Sequence, residues 1–328
     1  MRFGIIGTNF ISDWFCDAID ELRSRGEDVE SYAVYSRTAK RGEEFASLHG
    51  IAHVYDDYGK MLADKNIDAV YVASPTFKHA EQSILALKAG KHVLCEKMMA
   101  HTLEAFLEMK ACAKESGLVL LEAMRPEFDP SLGVIKDAIK EIGKVRRSSF
   151  VFLKYSSRYD DYKSGKYNNT FDPSIYNSAL ADIGIYPLHM AVSLFGEPRG
   201  VSTKGIFLEN GFLGAGEIFL DYGDHICTVS YSKISDSLSP SVIDGEGGSV
   251  SIDKITAPSR IACKPVGEDE RVLEYDHAPN KINMIYEIKA FSEMVRSMSD
   301  RADEYLRITE ICQRIVDEVY TALGAKLG

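Results

Sequence analysis

Residues 2–12 read Arg2-Phe3-Gly4-Ile5-Ile6-Gly7-Thr8-Asn9-Phe10-Ile11-Ser12. A short apolar run breaks into a glycine turn, and a helical pattern follows from Ile11 onward. A dinucleotide-binding fold keeps its GxGxxG loop at this place. There the chain turns tightly, the backbone approaches a pyrophosphate, and the helix N-terminus offers free N–H groups to the anion. Only the first glycine is present, at Gly7; Asn9 and Ser12 stand at the second and third positions. Asparagine tolerates left-handed backbone angles better than most residues, and serine is small enough for close packing. The same stretch also fits a strand–turn–helix with an N-cap and no ligand, so the rest of the chain decides.

Further strand-like runs at 31–36, 69–73, 92–95 and 118–121 alternate with helical patterns at 11–25, 40–49, 80–89 and 103–116. Strands alternating with helices predict a doubly wound parallel sheet with right-handed crossovers over residues 1–121. After Glu122 the texture changes. A helix at 130–141 leads to a long strand at 145–154, a polar stretch at 155–173 and a helix at 178–195. Consecutive strands with turn signals fill 201–275, and helices at 280–298 and 309–327 close the chain. Residues 122–328 therefore read as an α+β domain with a large, mostly antiparallel open sheet. No flexible linker marks the boundary, which favours a cleft between the domains. The fold class is α/β.

The chain has 328 residues, 45% of them hydrophobic and 27% charged, enough apolar material for two cores. Lys+Arg 38 against Asp+Glu 49 gives a net charge of −11, which disfavours a nucleic-acid or anionic-membrane partner. The longest nearly apolar stretch, 179–195, carries Asp182 and His189 and is too short and polar to span a bilayer. The opening MRFGIIG has neither an apolar h-region nor a cleavage site, so a cytoplasmic protein is expected. Six scattered cysteines without a CxxC pair read as reduced, mostly buried thiols. Eight histidines without HxH or HExxH give no metal-ligand spacing.

The end of the second strand reads Ala33-Val34-Tyr35-Ser36-Arg37-Thr38, with Lys40 and Arg41 close behind. An NAD site usually places Asp or Glu there for the ribose hydroxyls; a hydroxyl plus a guanidinium suits a 2′-phosphate instead. NADP(H) is thus preferred, with NAD(H) as the second option. The bland reading is that these cations open a solvated helix. In open α/β sheets ligands sit outside the carboxyl ends of strands. That rule marks Ser74, Thr76 and His79 after one strand, and Glu96 and Lys97 after the next, beside the Gly7, Thr8, Asn9, Phe10, Ile11 turn. A second constellation runs from Asn177 to His189. Asp182 and Tyr186 are spaced i,i+4, and Tyr186 and His189 i,i+3, so one α-helix would present all three on one face. Such a stripe in an apolar segment either forms a hydrogen-bonded buried network or lines a site.

The Gly7 turn, the run Ala89-Gly90-Lys91-His92-Val93-Leu94-Cys95-Glu96-Lys97, Glu122-Ala123-Met124-Arg125 and the 177–189 segment together resemble the Gfo/Idh/MocA oxidoreductases over essentially the whole length. The Asp182-Ile183-Gly184-Ile185-Tyr186-Pro187 run is most similar to the branch of dimeric dihydrodiol dehydrogenase, NADP-dependent xylose dehydrogenase and glucose-fructose oxidoreductase. The resemblance implies hydride transfer between nicotinamide C4 and a carbinol or carbonyl carbon of a sugar, sugar derivative or vicinal diol. It implies Lys97 beside nicotinamide and substrate, Tyr186 as acid/base, Asp182 as a substrate or lysine partner, and His189 at a position where members vary. It also implies a homodimer or homotetramer paired through the C-terminal sheet. Three departures stand out: Asn9 for a loop glycine, Met98 for the proline after the lysine, and Asn177-Ser178 for Gly-Gly. A catalytically silent NADP(H)-binding sensor that regulates a protein partner is the alternative reading. The pattern Tyr162-x-x-x-Lys166 with Ser149 mimics a short-chain dehydrogenase, but it lies in a polar run with the wrong kind of opening loop.

Overall fold

The computed structural model describes residues 1–328. The chain divides into two compact units: Met1–Arg125 with Ala278–Arg307, and Pro126–His277 with Ile308–Gly328.

In the first unit, the strands are β1 (Arg2–Ile6), β2 (Glu30–Tyr35), β3 (His53–Tyr55), β4 (Ala69–Val72), β5 (His92–Glu96) and β6 (Leu120–Ala123). All neighbours pair parallel, in the order β3-β2-β1-β4-β5-β6. The intervening helices are α1 (Phe10–Ser24), α2 (Ala39–His49), α3 (Tyr58–Ala63), α4 (His79–Lys88) and α5 (Leu103–Ser116). This is the six-stranded doubly wound order with its reversal beside β1. β4 and β6 are buried at every residue, as expected of strands covered on both faces. Helix starts are set locally: Asn9 caps α1, and the Thr102 hydroxyl accepts the Ala105 N–H at 3.2 Å to open α5.

The expected division at residue 121 needs correction. Helix α10 (Met284–Ser297), far beyond the end of the first segment at Arg125, belongs to the first unit and packs on α1. The cause is apolar burial. Phe291 lies 5.9 Å from Phe3, which meets Phe15 edge-on at 5.3 Å, and Phe15 stacks on Tyr71 at 3.9 Å. Those rings give the first unit a core that residues 1–121 do not complete alone.

In the second unit, a short α6 (Arg125–Phe128) and α7 (Ser131–Glu141) precede β7 (Val145–Leu153) and α8 (Ser157–Lys163). A π-helical turn over Leu180–Gly184 runs into α9 (Ile185–Phe195). Seven strands follow: β8 (Gly200–Phe207), β9 (Leu213–Asp221), β10 (Ile226–Ser232), β11 (Ser241–Gly245), β12 (Gly248–Ile252), β13 (Ile261–Pro265) and β14 (Arg271–Leu273). They form one eight-stranded sheet, β14-β13-β12-β11-β7-β10-β9-β8, parallel only between β10 and β7. Helices α7 and α9 pack on it, and α11 (Arg301–Leu323) begins in the first unit and continues into the second. No helix is long and apolar enough to cross a membrane. All six cysteines are buried, and none forms a disulfide.

Candidate active site

The first unit builds its candidate site from four strand ends. After β1, Gly7 has φ +104°, and a Cβ there would stand 2.6 Å from the Ala73 carbonyl oxygen. Only glycine allows the turn to lie this close to the end of β4. Asn9 is extended rather than left-handed, at φ −103°. Its value lies in the side chain: Oδ1 accepts the N–H groups of Ile11 (3.0 Å) and Ser12 (3.4 Å), and Nδ2 donates to Ala73 O at 2.7 Å. The missing second glycine is thus replaced by a residue that clamps the turn to β4. Thr8 is half-buried, Ser12 is buried, and Phe10 is 68% exposed at the first turn of α1. A glycine cradle that a Cβ would fill, at a helix N-terminus of a doubly wound sheet, fits a dinucleotide pyrophosphate.

At the end of β2, Ser36 N donates to Tyr55 O at 3.1 Å, and Ser36 Oγ accepts the Thr38 N–H at 3.4 Å. Arg37 is exposed and makes no ion pair, while Lys40 lies 3.9 Å from Glu44. The strand end therefore presents a hydroxyl and an unspent guanidinium, with no carboxylate among residues 33–38.

Two residues expected at the cofactor, His79 and Glu96, are tied into the protein by hydrogen bonds. His79 is buried, with Nδ1 2.9 Å from Met98 O and Nε2 2.8 Å from Ser74 O. The ring sits between the β4 and β5 ends, one N–H donating to one of the two carbonyls, and burial pushes its pKa down. Glu96 is buried as well; its carboxylate accepts the Tyr71 hydroxyl at 2.7 Å and the Lys97 N–H at 3.2 Å. Burial raises its pKa, against the pull of the Tyr71 hydrogen bond and the Lys97 and Arg125 charges. Ser74 Oγ donates to Gln82 at 2.5 Å, and Thr76 opens a 3₁₀ turn half-buried. Lys97, half-buried, directly follows β5, and the Lys97–Met98 peptide is cis. Arg125 is buried against the Trp14 ring, 5.4 Å from its centroid, and donates to Asn283 Oδ1 at 3.0 Å.

In the second unit, the π-helical turn changes the expected face. Gly184 sits against Tyr231; a Cβ there would meet the ring at 2.8 Å. The wider turn puts Asp182 and His189 in different surroundings. The Asp182 side chain is half-exposed and accepts a hydrogen bond from Lys233 Nζ. Tyr186 is buried, with its ring edge-on to Phe152 at 5.9 Å. His189 is only 3% exposed, and its Nδ1 lies 3.6 Å from Glu127 Oε2. Burial drives the His189 pKa down to about 3, with Lys136 adding to the effect. The burial favours a neutral imidazole packed beside Glu127. Ser178, one of the two residues replacing Gly-Gly, is buried, and its Oγ pairs with the Tyr320 hydroxyl at 2.7 Å. Asn177 Nδ2 donates to Asn169 O at 2.6 Å. Both side chains tie the segment to its own unit.

Lys233 was not singled out by motif, yet the sequence carries a signal for it. In β10 the alternation buries Cys227, Val229 and Tyr231, and residue 233 continues that face. A lysine on an inward face requires an acceptor.

Residues 1–124 match the family model described as an oxidoreductase family with an NAD-binding Rossmann fold, Gfo/Idh/MocA. The chain is 40% identical over 304 residues to the scyllo-inositol 2-dehydrogenase (NADP(+)) IolU of Bacillus subtilis, covering 93% of this chain and 91% of that one. It is 28% identical over 344 residues to the trans-1,2-dihydrobenzene-1,2-diol dehydrogenase of Mus musculus, covering 99% and 97%. A 3-ketoreductase from Actinomadura kijaniata, solved with NADP and TDP-benzene, shares the fold with a TM-score of 0.83 at 23% identity, over 98% of both chains. With a fold, a glycine cradle and a full-length relative in agreement, the chain belongs to the Gfo/Idh/MocA oxidoreductases, enzymes built on an NAD(P)-binding Rossmann unit.

Proposed function

We propose that the protein is an NADP(H)-dependent dehydrogenase acting on a secondary hydroxyl of a sugar, cyclic polyol or vicinal diol. The observation that carries this reading is the Asp182–Tyr186 junction, where a half-exposed carboxylate and a tyrosine leave one π-to-α helix in the second unit. The full-length likeness to an NADP(+)-dependent inositol dehydrogenase supports the substrate class. Bound nicotinamide supplies the hydride acceptor or donor. Gly7, Thr8, Asn9, Phe10 and Ile11 would hold the pyrophosphate, and Ser36 and Arg37 the 2′-phosphate. On reduction the Tyr186 phenol gives its proton to the developing alkoxide, and on oxidation its phenolate takes the hydroxyl proton. The Lys97 ammonium favours the charged oxygen that develops between them. Asp182 accepts a hydrogen bond from a substrate hydroxyl and so orients the reacting carbon.

Oligomerisation through the open face of the eight-stranded sheet belongs to the same proposal. Phe219 and Ile226 are exposed there, at 43% and 59%. The cofactor arm of the test is a fluorescence titration with NADPH and NADH. Arg37→Ala is expected to weaken NADPH at least tenfold, about 1.4 kcal/mol, and leave NADH unchanged. The chemical arm screens scyllo-inositol, other cyclic polyols, aldoses and vicinal diols with NADP+, using Lys97→Ala as control. Tighter binding of NADH than NADPH would overturn the cofactor assignment.

A further inference from the structure

Lys233 is buried in an unusual sense. Its side chain is 6% exposed, whereas that of its partner Asp182 is 47% exposed. Lysines ordinarily lay their stems along apolar surface and keep the ammonium in water; here the ammonium is inside and the carboxylate is open. The backbone enforces this. Lys233 N donates to Gly214 O at 2.9 Å, and Lys233 O accepts the Ser156 N–H at 2.9 Å. The preceding Ser232 Oγ accepts the N–H groups of Ile234 at 3.1 Å and Ser235 at 3.0 Å.

The floor beneath the ammonium is equally fixed. Lys233 Nζ lies 5.4 Å from the centre of the Phe171 ring, a cation–π contact. Phe171 is held by Tyr159 at 5.6 Å, Tyr162 at 5.8 Å and Phe212 at 4.7 Å, and its carbonyl accepts Asn210 Nδ2 at 2.7 Å. A buried ion pair is a poor way to stabilise a fold, because well-packed apolar side chains of similar volume do as well or better. What the pair does provide is a carboxylate held in one orientation on the segment that also carries Tyr186.

We propose that Lys233 is a positioning residue for the dehydrogenase reaction, fixing the Asp182 carboxylate so that it accepts a hydrogen bond from a substrate hydroxyl while Tyr186 handles the proton. The inference rests on the reading of Asp182 and Tyr186 given above. Lys233 itself touches neither proton nor hydride; it acts through Asp182.

The test is a double-mutant cycle on the full-length protein with Lys233→Met, Lys233→Arg, Asp182→Asn and the Lys233→Met/Asp182→Asn pair. In urea unfolding without ligand, Asp182→Asn strands a buried ammonium and should lower the midpoint more than Lys233→Met. The double variant should recover above Asp182→Asn. In turnover of the polyol selected by the screen, Lys233→Met should lower kcat 10- to 100-fold with NADPH affinity within twofold of wild type. Lys233→Arg should return to within fivefold, and the double variant should be no slower than Asp182→Asn. A folded Lys233→Met enzyme with kcat within twofold of wild type overturns the proposal. So do kinetic losses that multiply in the double variant, or additive stability effects. If Asp182→Asn keeps full turnover while Tyr186→Phe does not, the proposal falls and the proton assignment stands. If Tyr186→Phe also keeps full turnover, the underlying reading itself has failed.

Discussion

At the scale of single residues, type was legible and setting was not. Gly7 and Lys97 were readable because a turn into a helix and a strand end each fix where the side chain or its absence must be. His79, Glu96 and His189 share residue types with ligand-binding groups, but packing decides whether a polar atom faces a site or a neighbour. His79 and Glu96 turn inward, where backbone carbonyls, the Lys97 N–H and the Tyr71 hydroxyl meet their polar atoms. His189 has a measurable consequence. With a folded pKa of about 3 against an ordinary 6.5, the unfolded chain binds a proton that the native chain refuses between those values. The stability owed to the neutral imidazole is complete above pH 6.5 and is lost as the pH falls toward 3. Glu127, whose pKa is raised by burial, works with the opposite sign as its own carboxyl protonates. His189→Gln should therefore flatten the acid decline of Tm between pH 6.5 and 4. Parallel Tm–pH curves for wild type and variant would contradict the assignment.

Elements were legible where they were long. α1, α2, α4 and α5 lie within one residue of their expected bounds because each has a clear period and a defined start. β3 and α3 were not expected; strands of three residues and helices of six are too short to show a period. α8 and the 3₁₀ turns at Asn169–Phe171 and Pro173–Ile175, in and just past the polar 155–173 stretch, were hidden for the same reason. The π-helical turn is the most informative miss: Gly184 within it sits against the Tyr231 ring, a contact that no local periodicity announces. Gly184→Ala forces a methyl to within 2.8 Å of that ring. The expected cost is about 1–3 kcal/mol of stability, together with at least a tenfold fall in kcat as Asp182 and Tyr186 shift. Urea unfolding and steady-state kinetics on the same preparation measure both. A Gly184→Ala protein with wild-type kcat would show that the turn is not what places these groups.

On the scale of the whole molecule, the class of each sheet was readable and the chain's route was not. Period and turn chemistry separate a parallel α/β unit from a meandering antiparallel one, but nothing local in residues 278–307 announces that they return to complete the first unit. The buried rings Phe3, Phe15, Tyr71 and Phe291 make that return energetically necessary. Phe291→Ala should cost about 3–5 kcal/mol and lower NADPH affinity, although residue 291 lies far in sequence from every strand end of the Rossmann sheet. Unfolding in urea with and without NADPH checks this; a loss below about 1 kcal/mol, less than deletion of buried ring surface normally costs, would mean that α10 is dispensable to the first unit. The most direct test of the function is NADP+ reduction, followed by the absorbance of the NADPH formed, with scyllo-inositol and its cyclic relatives. Wild type and Tyr186→Phe are compared after NADPH affinity has been matched. Turnover by wild type with at least a hundredfold loss in Tyr186→Phe is the expected result. NADPH binding without turnover of any polyol, aldose or diol would contradict it and leave a cofactor-binding sensor in place of an enzyme.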